Sequence, residues 1–262
     1  MNAFLDLHRA GEPLLMPNPW DAGSARILAS LGFRALATTS AGFANTLGRL
    51  DMSVTRDEAL TSAASIVAAV DVPVSADLEN GFADDAHGVA KTVKKAAAAG
   101  LAGCSIEDYT QRPGDPIYPI AHAAERIEAA VEAAGKQVVI TARCENFLHE
   151  RTDLAETIAR LQRYQEAGAH VLYAPGVTTA EQIRAIVSSV DRPVNVLALP
   201  GAPPVAELAQ LGVARVSVGS GFALTALGAL VAAGRELLEQ GSYGFWDIAG
   251  VGSAAARTAF AR

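Results

Sequence analysis

Cysteine is nearly absent from this chain: two residues in 262, Cys104 and Cys144, both read as falling in strands. That excludes a disulfide framework and leaves core thiols as the reading, with the cytosol as the expected compartment. Basic blocks are lacking as well. The net charge is −7, so nucleic-acid binding has no electrostatic footprint. The five histidines are scattered, without His-x-His or His-Glu-x-x-His spacing, which excludes the usual zinc sites. Aromatics make up only 6% of the chain, and alanine is abundant, as suits many packed helices. The first nine residues, Met1 to Arg9, show no signal-peptide pattern. One uncharged stretch, Val216 to Gly234, has about the ~20 residues of a membrane span. The glycines and serines at its start divide it into a strand (Arg215 to Gly219), a Gly-Ser-Gly turn and a buried helix, so no membrane partner is expected.

What the chain has is a repeated unit, a short apolar run followed by a turn and an Ala/Leu-rich helical pattern, occurring about eight times. The runs are Leu14–Pro17, Ala35–Thr39, Val72–Ala76, Gly103–Ile106, Val138–Ala142, His170–Ala174, Val194–Ala198 and Val216–Gly219. Asp21 is placed to cap the first helix, and Gly100, Gly168 and Gly212 follow later ones as C-terminal caps do. Asp153 through Ala167 keeps an apolar face of Leu154, Ile158, Leu161 and Tyr164. Strands alternating with helices imply a parallel sheet, and eight units imply its closure. The expected fold is an α/β (β/α)8 TIM-type barrel, one domain over residues 1–262. Residues 241–262 exceed the eight units. Tyr243, Phe245 and Trp246 in that extension need something to pack on, the barrel's own wall or a neighbouring subunit.

Active sites of such barrels lie at the C-terminal strand ends. The polar residues there are Asn18, Thr39, Ser40, Asp77, Glu79, Glu107, Asp108, Arg143, Glu145, Tyr173, Asn195 and Ser220, a carboxylate-rich mouth with one guanidinium. Asp77 and Glu79 stand two apart at the end of a strand and are expected on one face. Hard oxygen donors in this number suit Mg2+, or Mn2+. Magnesium takes few direct carboxylates, so Asp77 is the expected direct ligand, with Glu79 and Glu107 acting through water. Glu107-Asp108 has an alternative partner in Arg112. Arg143 needs an anion, either a rim carboxylate or a substrate carboxylate gripped bidentately. Thr39-Ser-Ala-Gly42 is a small-residue turn whose N–H groups and hydroxyls suit an anion.

Several segments in order carry a family resemblance: Pro19–Ile27, Thr39–Gly42, Leu47–Asp51, Ser75–Gly81, Ser105–Asp108 and Thr141–Arg143. The chain resembles the isocitrate lyase / phosphoenolpyruvate mutase superfamily. The resemblance implies a Mg2+-dependent barrel acting on 2-oxo acids or their aldol-type precursors. It implies Asp77 as the direct metal ligand and Asp51, Glu79 and Glu107 as water-mediated partners. It also implies Ser40, Ala41 and Gly42 as the substrate-carboxylate cradle, with Arg143 as charge partner. Arg143, Asp51 and Glu107 are the expected catalytic residues, and Asn195 joins the expected substrate contacts. Members are often tetramers whose neighbours exchange a C-terminal helix, so a homo-oligomer, dimer or tetramer, is expected.

The departures narrow the reaction. Glu79 stands where an aspartate is usual. The loop Asp108–Pro119 lacks the cysteine motif of isocitrate and methylisocitrate lyases, and also the lysine and asparagine of the mutase and of phosphonopyruvate hydrolase. Decarboxylation of an oxaloacetate-like 2-oxo dicarboxylate through a metal-stabilised enolate survives these losses. Tyr109, Tyr118 and Tyr173 are candidate proton sources. The alternatives are a substituted malate or methylisocitrate-type lyase using Tyr118 or Asp115 as its acid, or a 2-oxo-acid-binding protein with weak activity.

Overall fold

The structure is a computed structural model that describes residues 3–261. Met1 and Asn2, part of the N-terminal reading, and Arg262, the end of the extension, lie outside the described residues. Strands and helices alternate along the chain: β1 (Leu14–Met16), α1 (Ala22–Ser30), β2 (Leu36–Ala37), α2 (Ser40–Thr46), α3 (Arg56–Val67), β3 (Val74–Asp77), α4 (Ala86–Ala98), β4 (Gly103–Glu107), α5 (Ile120–Ala134), β5 (Val139–Arg143), α6 (Leu154–Glu166), β6 (Val171–Tyr173), α7 (Ala180–Ser189), β7 (Val194–Leu197), α8 (Val205–Gln210), β8 (Arg215–Ser217), α9 (Gly221–Arg235) and α10 (Trp246–Phe260). The eight strands are parallel, each beside its neighbour in sequence, with β1 paired to β8. The seam between β1 and β2 is held by the Ala37 N–H donating to the Pro17 carbonyl at 3.0 Å. Asn18 staples the same seam. Its amide donates to the Thr38 carbonyl and its Oδ1 accepts from the N–H groups of Val218 and Gly219, each at 3.0 Å. The fold is the expected (β/α)8 barrel.

Alternation along each strand divides the core in two. Ile140, Ala142, Leu172, Val194 and Val196 face outward and pack with helix residues such as Leu161 and Ile183. Burying a Leu or Ile in this way contributes about 1.5–3 kcal/mol. Leu14, Met16, Ala37, Val139 and Val171 face inward and close around Phe4, which plugs the N-terminal end of the barrel. Gly103 is what admits that ring: a Cβ there would lie 2.7 Å from the Phe4 ring edge. Above the plug the inward positions turn polar, and there the site begins.

Local signals act as the sequence suggests. The Asp21 carboxylate accepts from the Ser24 N–H at 2.7 Å and starts α1. Gly100, Gly168 and Gly212 have φ of 81°, 91° and 85°, the left-handed caps that end α4, α6 and α8.

One expectation is corrected at the C-terminal end. The helix after β8 is not buried: Leu230 is 69% exposed, and α9 with its π-helical turn Glu236–Gln240 shows most of its surface to solvent. By length and composition alone this segment, Gly221–Gln240, is long and apolar enough to cross a membrane. The extension packs on its own chain, through α10 against α1, with Ala259 buried and Phe260 near Gly23. Tyr243 and Trp246 remain 63% and 67% exposed.

Candidate active site

A cavity of about 360 Å³ opens at the C-terminal mouth of the barrel. Its centre is Arg143, the last residue of β5. The guanidinium donates to Asp77 at 3.0 Å and Glu145 at 2.9 Å and forms an ion pair with Glu107 at 3.1 Å. Burial acts to lower the pKa of Arg143, but Glu145, Glu107 and Asp77 outweigh it and hold it well above the usual value. Burial in turn pushes the Glu107 and Glu145 carboxyls up, with Arg143 opposing. Of the two partners expected for Arg143, the rim carboxylates are present.

Asp77 ends β3 beside three hydroxyls. Its Oδ2 accepts from the Ser40 hydroxyl at 3.1 Å and the Ser40 N–H at 3.4 Å. Ser105 Oγ lies 3.5 Å from Oδ1, and the Asp77 N–H donates to Thr38 Oγ1 at 2.9 Å. Glu79 is placed differently from the expectation. The strand has ended, and φ of +49° at Glu79 breaks the two-residue alternation. Its side chain is buried behind Asp77 and outside the cavity lining. Gln111 Nε2 donates to Glu79 Oε2 at 3.1 Å, while Oε1 is buried with no hydrogen-bond partner. Burial first, then the charges of Asp77 and Asp51, raise its pKa to about 8.

Among the described residues no three His, Cys, Asp or Glu side chains close into a preformed chelate. Arg143 bridges Asp77 and Glu107, and the Glu79 N–H donates to Asp77 Oδ1 at 3.3 Å. The donors still fit a hard divalent cation. Magnesium needs only one or two direct carboxylates and keeps its waters. Three acids, Asp77, Glu107 and Glu145, meet one guanidinium, and among the described residues Glu79 Oε1 is buried without a hydrogen-bond partner.

The remaining expected residues divide. Ser40 and Ala41 line the cavity. Gly42 does not: a Cβ there would meet Thr39 at 2.5 Å, Trp20 at 3.1 Å and Ala223 at 3.2 Å, so its role is packing. Asp51 lines the exposed mouth, its Oδ1 accepting from the Met52 N–H at 3.0 Å. Asn195 lines the cavity with both amide ends engaged, donating to Ser217 Oγ and accepting from Arg215 Nε, each at 2.9 Å. Tyr109 and Tyr173 line the cavity, and Tyr109 stacks on His149 with ring centroids 4.1 Å apart. Tyr118 is turned away and donates to Asp84. Asp115 lies outside the cavity, 3.7 Å from Arg112. Arg112 does not pair with Glu107 or Asp108; its partners are Asp84 and Asp115. Asp108 is committed to Tyr164, to Arg160 and to the Glu145 N–H at 2.8 Å.

Arg215 is among the cavity residues that escaped the sequence reading, with Thr38, Ser105, His149 and Ser217. Arg215, the first of β8, faces inward, is 3% exposed and lines the cavity. The signal was available: a charged residue at an inward position of Arg215-Val-Ser-Val218.

Residues 4–238 match the family model for phosphoenolpyruvate phosphomutase. The chain belongs to the phosphoenolpyruvate phosphomutase family. A crystal structure of a lyase/mutase candidate from Burkholderia cenocepacia is 52% identical to this family member, with a TM-score of 0.90, covering 93% of this chain and 89% of that one. An oxaloacetate decarboxylase of Bradyrhizobium sp. is 30% identical over 217 residues, 79% of this chain and 74% of that protein. The 2-methylisocitrate lyase of Escherichia coli is 32% identical over 191 residues, 70% of this chain and 64% of the lyase, a little under two thirds of its length. The isocitrate lyase / phosphoenolpyruvate mutase resemblance is thus correct, and the relatives named here include lyases.

Proposed function

We propose that this family member is a divalent-metal-dependent carbon–carbon lyase that decarboxylates a 2-oxo dicarboxylate of the oxaloacetate type. The observation that carries this reading is the imbalance at the mouth: three acids, Asp77, Glu107 and Glu145, share one guanidinium, and Glu79 Oε1 is buried with no hydrogen-bond partner among the described residues. Asp77 would hold Mg2+ or Mn2+ directly, with Glu79, Glu107 and Asp51 acting through water. A cation held there supplies Lewis-acid withdrawal of electrons from a 2-oxo group.

The chain's own residues do the rest. Arg143 and the Ser40 hydroxyl orient the substrate carboxylate beside the 2-oxo group and offset the charge that develops as the C3–C4 bond breaks. The departing carboxylate leaves as CO2, and a proton enters at C3. Tyr173 lines the cavity, and burial pushes its hydroxyl to about 12, so at neutral pH its proton stays on Oη. Tyr109 is the other tyrosine that lines the cavity. The methylisocitrate-type alternative is disfavoured by position, since its candidate acids Tyr118 and Asp115 lie outside the cavity.

The test is a panel of oxaloacetate, phosphonopyruvate, 2-methylisocitrate and 2,3-dimethylmalate, each with Mg2+, Mn2+ or a chelator. Release of pyruvate and CO2 from oxaloacetate, lost on chelation and restored by Mg2+, is the expected result. Turnover that survives full chelation overturns the reading. Cleavage of only the aldol-type substrates shifts it to the lyase alternative, and tight binding without turnover makes the protein a binder.

We also propose that copies of the chain associate through α9 and α10. The apolar residues Leu224, Leu227, Leu230, Leu238 and Trp246 lie exposed on consecutive helices. A face of that kind marks an interaction surface, and a second copy offers the same face in return.

A further inference from the structure

Arg215 is a buried cation without an anion. Its Nε donates to Asn195 Oδ1 at 2.9 Å, its Nη2 to Thr141 Oγ1 at 3.2 Å, and its Nη1 lies 3.2 Å from His8 Nε2. All three partners are neutral, and among the described residues no carboxylate forms an ion pair with it. Taking a guanidinium out of water costs several kcal/mol, and neutral acceptors offset only part of that. Burial lowers its pKa to about 10, with the Tyr173 phenol acting to raise it. Arg143, in the same cavity, already holds three carboxylates.

The two guanidiniums sit at different depths. Thr141, which receives the Arg215 Nη2 proton, precedes Arg143 by two residues on the same face of β5. That separation is one inward layer, about 6.6 Å along the strand. Below Arg215 come His8 and the apolar plug around Phe4, so its guanidinium forms the cavity floor. The cavity is therefore polarised, with excess carboxylates at the rim and an unneutralised cation beneath. A four-carbon dicarboxylate, with C–C bonds of about 1.5 Å, is long enough to reach both levels.

We propose that Arg215 binds a second carboxylate of the substrate and makes the cavity selective for 2-oxo dicarboxylates over 2-oxo monocarboxylates. The assignment rests on the reading of the site as one for 2-oxo acids, and it adds the residue that sets the substrate class. The charge of the arriving carboxylate replaces the missing counter-ion, and the planar guanidinium fork fits its two oxygens.

The test uses a matched pair without the 2-oxo group that decarboxylation requires: malate, and lactate, which lacks only the distal carboxylate. Calorimetric titration with Mg2+ compares the wild type, Arg215→Met and Arg215→Lys. The wild type is expected to prefer the dicarboxylate by about 30-fold or more, the worth of a charged hydrogen-bonded contact. Arg215→Met is expected to erase that preference while lactate binds as before, and Arg215→Lys to keep part of it. A wild type without the preference, or a folded Arg215→Met that retains it, overturns the proposal. If Arg215→Met does not fold, Arg215→Lys decides, because an undiminished preference in that variant also overturns it. An Arg215-dependent preference in a protein that leaves oxaloacetate intact would retain the anchor and discard the decarboxylase reading. Turnover of oxaloacetate with no such dependence would do the reverse.

Discussion

Asp77 Oδ1 accepts from Arg143 Nη1 at 3.0 Å, so the last residue of β3 is tied across the barrel mouth to the last residue of β5. Asp77 also accepts from Ser40, from the Glu79 N–H and, at 3.5 Å, from Ser105 Oγ, but if it is lost Arg143 keeps Glu107 and Glu145 as counter-ions. Asp77→Ala is accordingly expected to lower turnover of oxaloacetate about 100-fold or more while the melting temperature stays within a few degrees of wild type. Steady-state rates and thermal circular dichroism check this. A folded variant with wild-type rates would remove Asp77 from the metal assignment.

Arg143 is the structural counterpart. Removing its charge as Arg143→Met leaves Glu107, Glu145 and Asp77 facing one another in a buried site. Breaking a buried pair by deleting one partner costs about 3–5 kcal/mol. The loss has a pH signature. Glu107 and Glu145 already sit above the usual carboxylate range, and without Arg143 they rise further. A raised acid favours the folded state below its unfolded pKa and penalises it as pH climbs through the folded value. The deficit of the variant is therefore smallest near pH 5 and largest near pH 8. Urea midpoints at the two values measure it, and equal deficits would contradict the ion-pair account.

The barrel and most of its mouth were legible because period-two alternation and eight apolar runs are local properties of the chain. Asp77, Glu107, Arg143 and Tyr173 were all placed at strand ends by that count alone. Other features depend on what a local pattern does not carry. The side chain of Glu79 is redirected by a left-handed φ, which no spacing rule announces. Tyr118 and Asp115 were candidate acids because they lie on the Asp108–Pro119 loop, yet Tyr118 donates to Asp84 and Asp115 pairs with Arg112, both outside the cavity. Gly42 proved to be a packing glycine against Trp20 and Ala223, which are distant in sequence. The burial of α9 was misjudged for a different reason: an apolar helix reads the same whether its own barrel or another copy covers it.

His8 gives a prediction on stability. Its Nδ1 lies 3.1 Å from the Phe4 carbonyl, so it carries the proton there and leaves Nε2 to accept from Arg215. Burial, with Arg215 adding to it, lowers the pKa of His8 from 6.5 to about 3. Between those values the unfolded chain takes up a proton that the folded chain refuses, so stability falls as pH drops below 6.5. From pH 7 to pH 5 the group is expected to remove about 2 kcal/mol. His8→Asn should flatten that part of the profile in urea unfolding. Comparing the two proteins separates His8 from the raised rim acids, which act in the opposite sense. Parallel profiles would show that His8 titrates normally.

The exposed face of α9 and α10 yields the last prediction. Leu230 and Leu238 are 69% and 87% exposed, and Trp246 is 67% exposed. Covering one such side chain is worth about 1.5–3 kcal/mol, so a stripe of them on a free monomer would be costly to leave in water. Wild-type protein is expected to sediment as a dimer or tetramer. Leu230→Glu with Trp246→Glu places two charges on that face, where pairing would bury them without partners, and the double variant should sediment as a monomer with its barrel intact by circular dichroism. Flotation with lipid vesicles in place of self-association would assign α9 to a membrane. A monomeric wild type that ignores vesicles would leave the self-association proposal without support and return the apolar stripe to the status of plain exposed surface.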